Sequence, residues 1–283
     1  MTKVVIIPNI NKDRELGVTQ KIVDLLSEHA EIYVEEKHAK GLLGNVISFK
    51  EFPSDAALIV VVGGDGSMLD ASVTAIQYDI PLVGVNLGKL GYLSEVETDN
   101  ISLLLDFFKG KYSIDEKMLL SVSYIHYGAE TVSERLAVND VTISRDAFLG
   151  VADFKLENSF GDSVRYRADG IILSTPAGST AYSLSAGGPI VSHDIDSIVS
   201  TPICPHSFFN RSVIFKSSER IKLKNIGSAD LNIAVDGRPF SSLKNGDECI
   251  VTAAKKRLKV VTFSENNMFS TLFRKMKLLE DIT

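Results

Sequence analysis

Apolar residues in the first third of the chain fall into short unbroken runs separated by stretches of helical spacing. Residues 4–7, 32–34, 57–62 and 82–86 are runs of strand length, dominated by Val, Ile and Leu. Between them, Val18, Ile22, Leu25, Leu26 and Ala30 recur at the period of a helix face, and Met68, Leu69, Ser72 and Ile76 sit on related turns. Residues 101–108 read as a further helix. Strands alternating with helices predict βαβ units and a Rossmann-like parallel sheet. The unbroken apolar character of the strands predicts a sheet covered on both faces.

The texture changes near residues 113–117. Helical spacing mostly vanishes, and β-rich runs follow one another at 119–125, 136–143, 151–156, 171–175, 212–215, 221–223, 232–235, 249–253 and 258–261. Turn signals such as Gly161-Asp162 and Asn245-Gly246 separate them. This half predicts an all-β sandwich, interrupted by a helix over 181–186. Phe269, Leu272, Phe273 and Met276 predict a last helix over 269–279. The expected organisation is an α/β domain over 1–117, a β-sandwich domain over 118–262, and a segment over 263–283 that packs back on the first domain.

Composition narrows the function classes. The 283 residues suffice for about two domains, and 45% hydrophobic content supplies a core without disulfides. Cys204 and Cys249 match no metal-ligand spacing and read as reduced thiols. No Cys/His cluster offers a structural metal site, and no metal ligands are assigned. A net charge of −6 argues against nucleic acid and anionic membrane as partners. No run is long enough to cross a bilayer or serve as a signal peptide, so the expected location is the cytoplasm.

The sharpest chemical feature is the run Val60-Val61-Val62-Gly63-Gly64-Asp65-Gly66-Ser67. A buried strand ends, a glycine-rich turn follows, and a helix begins. Glycines let backbone approach a phosphate, and a helix N-terminus offers unpaired N–H groups and a favourable dipole. Gly63, Gly64, Gly66 and Ser67 are therefore candidate phosphate-binding residues. A carboxylate in such a turn repels phosphate unless a metal or a substrate hydroxyl intervenes, which is the situation of a kinase base. The competing reading is that Asp65 caps a helix starting at Ser67. The run is neither a Walker loop nor a dinucleotide fingerprint.

A second feature is Arg167-Ala168-Asp169-Gly170 followed, after a strand, by the small-residue run from Ser174 to Pro189. Its hydroxyls and glycines suit ribose, base edge or phosphate, or cap their own loop. Asn139 and Asp140 interrupt an apolar strand and either face a ligand or satisfy the strand end. Tyr92, in Leu90-Gly91-Tyr92-Leu93, offers a ring for stacking on a base or for ordinary packing. His193 and His206 read as packed, hydrogen-bonded side chains. Lys255-Lys256-Arg257 and Arg274-Lys275-Met276-Lys277 read as solvated faces.

Together these motifs resemble the bacterial-type NAD kinases. Gly-Gly-Asp-Gly at 63–66, Leu-Gly-Tyr-Leu at 90–93, Asn-Asp at 139–140, the 169–189 run and Thr201-Pro202-Ile203-Cys204-Pro205-His206-Ser207 occur in that family's order. The resemblance implies ATP-dependent phosphorylation of the adenosine ribose 2′-hydroxyl of NAD, with a divalent cation, usually Mg²⁺. It implies Asp65 as general base and Gly66 as a neighbouring contact. It implies NAD contacts from Tyr92, Asn139, Asp140, Arg167, Asp169, Thr180, Ala181, Tyr182, Ser185 and Arg238. The family's fold is an α/β domain plus a β sandwich, with the site in the cleft between them, and its members are homodimers or homotetramers. Ser67 and Ala177 stand where Thr is commoner, Asp140 where Glu is commoner, and Tyr92 where Phe is usual. Two rival functions fit the same turn and loops: a lipid kinase and a non-catalytic nucleotide sensor.

Overall fold

The structure, a computed structural model, describes residues 1–88, 91, 96–126, 133–145 and 151–263. The expected helix over 269–279 and Tyr92 lie outside them. The chain forms two compact units, one of Met1–Glu116 with the chain returning at Leu258, the other of Lys117–Arg257.

The first unit runs β1 (Thr2–Pro8), α1 (Gly17–Leu26), β2 (Ala30–Glu35), α2 (Glu36–Ala39), β3 (Val46–Phe49), β4 (Leu58–Gly63), α3 (Asp65–Tyr78), β5 (Leu82–Asn86), β6 (Val96–Glu97) and α4 (Leu104–Phe108). Strands β5, β4, β1, β2 and β3 lie side by side in that order, all parallel. The returning chain adds Val260 alongside Leu82 of β5, also parallel. Every residue of β4 and of β5 is buried, which is why both read as unbroken apolar runs. Val4, Ile6, Val60, Val62, Val83 and Val85 pack with Ile22, Val23 and Leu26 of α1 in one core.

The second unit contains most of β7 (Ser113–Ile125), then β8 (Ser133–Ala137), β9 (Asp140–Arg145), β10 (Ala152–Glu157), β11 (Ser163–Ala168), β12 (Gly170–Ser174), the short helix α5 (Tyr182–Ser185), β13 (Ser197–Ile203), β14 (Val213–Lys216), β15 (Ile221–Asn225), β16 (Leu231–Val235), β17 (Arg238–Leu243) and most of β18 (Glu248–Thr262). One antiparallel sheet has the order β14-β13-β12-β9-β16-β17, and the facing layer is built from β11, β10, β15, β18, β7 and β8. Their inward residues meet in one core. Ile143, Ile171, Ile198 and Ile233 come from the first layer, and Phe154, Tyr166, Leu223 and Val251 from the second. The α/β unit with a parallel sheet and the β sandwich are the fold class that the sequence predicts.

Local differences have physical causes. The two runs expected at 249–253 and 258–261 are one strand, β18, whose polar middle exposes Lys255 and Lys256 while Arg257 pairs with Asp196. The expected helix over 181–186 is the single turn α5, preceded by a 3-10 turn over Ala177–Thr180. His206 is exposed rather than packed. No described helix is long and apolar enough to cross a membrane. Cys249 lies in the sandwich core, where burial pushes its thiol up to about 12 and keeps it inert.

Candidate active site

In the first unit, the chain order β1-β2-β3 grows one way from β1 and β4-β5 grows the other. The strand order therefore reverses between β1 and β4, the position where open α/β sheets bind ligands beyond their carboxyl ends. Three loops meet there. After β1, Asn9 donates its backbone N–H to the carbonyl of Val62 (2.8 Å) and its side-chain amide to Ser67 Oγ (2.7 Å). After β4 comes the Gly-Gly-Asp-Gly turn. After β5, Leu87 N–H donates to the Gly63 carbonyl (2.7 Å), and Asn86 closes a turn by accepting from Gly88 N–H (3.2 Å).

The three glycines of the turn have different duties. A Cβ on Gly63 would stand 2.3 Å from Ser67 Oγ, so Gly63 lets the helix pack on its own strand. A Cβ on Gly64 would stand 2.8 Å from the Lys12 ammonium, whereas one on Gly66 would meet nothing within 4 Å. Gly66 thus borders open space, as a residue facing a ligand must. Helix α3 begins at Asp65 itself, with Gly64 in the N-cap position. The capping alternative, Asp65 ahead of a helix from Ser67, is therefore not what forms. Asp65 is instead a half-buried carboxylate in the first turn of α3. Ser67 Oγ is occupied as the acceptor from Asn9.

In the second unit, Asn139 and Asp140 sit where β9 begins. The carboxylate of Asp236 accepts the backbone N–H groups of Val138 (2.9 Å), Asn139 (2.7 Å) and Asp140 (3.1 Å). In return Asp236 N–H donates to the Asp140 carbonyl (2.9 Å). Asp236 and Gly237 have φ of 49° and 73° and form the tight turn between β16 and β17, which begins at Arg238. The small-residue run locks on from another side. Thr175 Oγ1 donates to the Val138 carbonyl (2.7 Å), and a Cβ on Gly178 would stand 1.9 Å from the Asn139 carbonyl oxygen. Only glycine permits that approach.

The run from Ser174 to Pro189 divides its hydroxyls. Ser179 Oγ donates to the Pro176 carbonyl (2.6 Å) and accepts from Val191 N–H (3.0 Å). Thr180 Oγ1 donates to the Ala177 carbonyl (3.0 Å), and Ser183 bonds Thr201 inside the fold (2.9 Å). Tyr182 and Ser185 are exposed and Ala181 half-buried. The run therefore stitches its own loop while leaving the 181, 182 and 185 positions facing outward.

Arg167 and Asp169 lie at the other end of β12. Arg167 is exposed, and Asp169 accepts from Arg145 Nε (2.8 Å). Strand β12 pairs Gly170 with Ser144 and Ser174 with Asp140. Its length, about 13 Å at roughly 3.3 Å per residue, separates Arg167 and Asp169 from the Asn139–Asp140 corner. The unit thus brings Asn139, Asp140, Arg238 and the run after Ser174 to one end of β12, but not Arg167 and Asp169.

Lys12, Asn9, Arg145 and Asp236 carry no motif that singles them out in the sequence, although Asp236-Gly237 does read as a turn. Asp140 is buried, and its carboxyl is pushed up to about 6, first by that burial and then by the Asp236 charge, against a stabilising hydroxyl from Thr142. Burial raises Asp236 too, opposed by its three N–H donors. A carboxyl raised in the fold holds its proton more tightly there than in the unfolded chain. Stability therefore falls as pH rises from about 4 to about 6, and the cost is fully present above that window. Asp140→Asn removes it. We expect the variant to be more stable at neutral pH by about 1–3 kcal/mol, with a flatter pH dependence below 6, measured by denaturant unfolding across that range.

A glycine-rich turn with a carboxylate at a switch point, and a separate β-sandwich corner rich in donors and acceptors, define a phosphotransferase-like protein of two units. The ATP-NAD kinase N-terminal domain model matches residues 4–112 and the ATP-NAD kinase C-terminal domain model matches 138–263. A NAD kinase of Thermoanaerobacter sp. (strain X514) is 35% identical over 288 residues, covering 98% of this chain and 99% of its own. One of Geobacter sulfurreducens is 36% identical over 281 residues, covering 98% and 99%. The chain belongs to the NAD kinase family. Two solved structures share its fold. A yeast NADH kinase complexed with NADH has a TM-score of 0.85 at 24% identity, covering 96% of this chain and 86% of that one. An NAD kinase from Archaeoglobus fulgidus in complex with ATP has a TM-score of 0.73 at 23% identity, covering 98% and 99%.

Proposed function

We propose that the chain transfers the terminal phosphoryl group of ATP to the adenosine ribose 2′-hydroxyl of NAD, with Asp65 as general base. The observation that carries this reading is the placement of Asp65 in the first turn of α3, at the switch point, between a glycine bordering open space and one lying under a lysine ammonium. Asp65 takes the hydroxyl proton as the 2′-oxygen attacks the γ-phosphorus and the bond from that phosphorus to the bridging oxygen breaks, releasing ADP. The backbone of Gly64, Gly66 and Ser67 and the positive end of α3 hold the phosphates. Catalysis is then mostly positioning and charge stabilisation, as expected of a loose phosphoryl-transfer transition state.

NAD is held by the second unit through Asn139, Asp140, Ala181, Tyr182, Ser185 and Arg238, with Thr180 keeping the loop in shape and Tyr92 beside the adenine. The reading requires Asp65 and these residues to meet on one substrate, in a cleft between the units. Arg167 and Asp169 complete the site from a neighbouring subunit in a homodimer or homotetramer. Their separation along β12 supports that division. The location proposed is the cytoplasm. Among the described residues no group of three or more His, Cys, Asp or Glu side chains forms a metal cage. One carboxylate beside glycine amides fits Mg²⁺ carried in on the triphosphate, since Mg²⁺ keeps several waters and uses few protein ligands. Bound there, it would neutralise charge developing on the phosphate oxygens.

Incubating the pure protein with NAD, ATP and Mg²⁺ is expected to yield NADP, read by an NADP-specific dehydrogenase. Binding of NAD with no ATP-dependent product would leave a nucleotide sensor. Phosphorylation of diacylglycerol in place of NAD would leave a lipid kinase.

A further inference from the structure

We propose that Lys12 is a phosphate-binding residue of the triphosphate donor, a role that rests on the reaction proposed above. Lys12 lies in the loop after β1, on the other flank of the switch point from Asp65. Its ammonium stands 2.8 Å from where a Gly64 Cβ would be and 3.8 Å from where a Gly88 Cβ would be, so it overhangs both glycine loops. At residue 64 a Cβ would have to displace that ammonium, whereas at residue 88 it would meet it in ordinary contact.

The loop that carries Lys12 is held from several sides. Asn9 ties it to β4 and to Ser67, and the Asn9 carbonyl accepts the N–H groups of Lys12 (3.0 Å) and Asp13 (2.8 Å). Asp13 is buried and anchors the start of α1 by accepting from Thr19 N–H (2.9 Å) and Thr19 Oγ1 (2.6 Å). The base of Lys12 is thus fixed, while its side chain is exposed.

Charge gives the reason for a cation here. The turn already carries the Asp65 carboxylate, and the donor brings several more negative charges. Helix-dipole and amide contacts supply only partial positive charge. A lysine on a flexible stem supplies a full unit as a point charge and can follow phosphates as they shift during transfer. Lys12 therefore offsets the repulsion that Asp65 imposes on the donor.

The test uses Lys12→Met, which keeps the apolar stem, and Lys12→Arg, which keeps the charge, both in the full chain. For Lys12→Met we expect kcat/KM for ATP to fall by about 10–100-fold, the size of a lost charge-assisted contact. KM for NAD should stay within about twofold, and Lys12→Arg should recover most of the loss. Inorganic tripolyphosphate, titrated calorimetrically, should bind the unaltered protein and bind Lys12→Met more weakly by a similar factor. Unchanged ATP parameters in Lys12→Met, or equal rises in KM for ATP and NAD, would overturn the role. If the unaltered protein makes no NADP, the proposed reaction falls, and the tripolyphosphate comparison still decides. Weaker binding to Lys12→Met upholds the contact; equal binding, or no binding to either protein, rejects it.

Discussion

Asp65→Asn is expected to lower kcat for NADP formation by roughly 10²–10⁴, the usual worth of a positioned general base. KM for NAD and for ATP should change little, because an amide fills the same volume and still accepts a hydrogen bond from the substrate hydroxyl. What it cannot do is take the proton. The stability cost should be small. Removing a carboxylate from the first turn of α3 forfeits about 0.3–1 kcal/mol of interaction with the helix dipole. The loss of turnover and the loss of stability therefore separate. A purely structural Asp65 would give a lower melting temperature with turnover per folded molecule intact. The expected pattern is the reverse, and steady-state rates of NADP formation beside a thermal melt of the same sample distinguish them. Near-normal kcat in Asp65→Asn would remove the residue from the chemistry.

Asp65 was legible in the sequence because its setting is local. An apolar run, three glycines and a hydroxyl within eight residues describe a strand, a turn and a helix start without help from the rest of the chain. The parallel strands were legible for a related reason: β4 and β5 are buried along their whole length, so burial writes itself as unbroken Val, Ile and Leu. Strands β11, β13 and β3 were not, each for its own reason. Strand β11 exposes Arg165 and Arg167 on the outside of its layer. Strand β13 is almost wholly buried yet includes Ser197, Ser200, Thr201 and Pro202, and Thr201 is tolerated there because Ser183 and Ser212 bond its hydroxyl. Strand β3 lies at the edge of the parallel sheet and is not fully buried anywhere.

The supporting residues that no motif singles out were hidden because strand order, not sequence distance, brings them to the site. Lys12 and Asn9 reach the glycine turn only because β1 pairs with β4 in parallel, bringing Pro8 beside Val62. Asp236 reaches Asn139 only because β16 pairs with β9, bringing Val235 beside Val141. The run after Ser174 read either as ligand contacts or as a loop capping itself, and the structure divides it between the two. Thr175, Ser179 and Ser183 are buried structural hydroxyls, whereas Tyr182 and Ser185 face outward. Composition alone cannot make that distinction, since a hydroxyl that caps a loop and one that meets a ribose are the same group.

Asp236→Ala should be the most damaging single change to the corner proposed to hold NAD. It strips the acceptor from the three consecutive N–H groups of Val138, Asn139 and Asp140, and it puts Ala at a φ of 49° that Asp and Asn tolerate better. Each N–H left without a partner costs about 1–3 kcal/mol if it stays dry. Water entering this half-buried turn and relief of the Asp236–Asp140 repulsion offset part of that, so a net loss of about 2–4 kcal/mol is expected from denaturant unfolding. The folded remainder should show a KM for NAD raised by about tenfold or more, with KM for ATP nearly unchanged, because the turn lies among the residues assigned to NAD. Asp236→Asn should fall between the two. Its carbonyl oxygen can keep the Asn139 and Asp140 N–H groups, and its backbone accepts the same φ. Asp236→Asn also deletes the negative charge that helps to hold Asp140 near 6. The acid limb of the pH dependence of KM for NAD should therefore move to lower pH in that variant. A site merely loosened by mutation would weaken NAD binding at every pH alike, so an unshifted limb would show that Asp236 acts only as a structural brace.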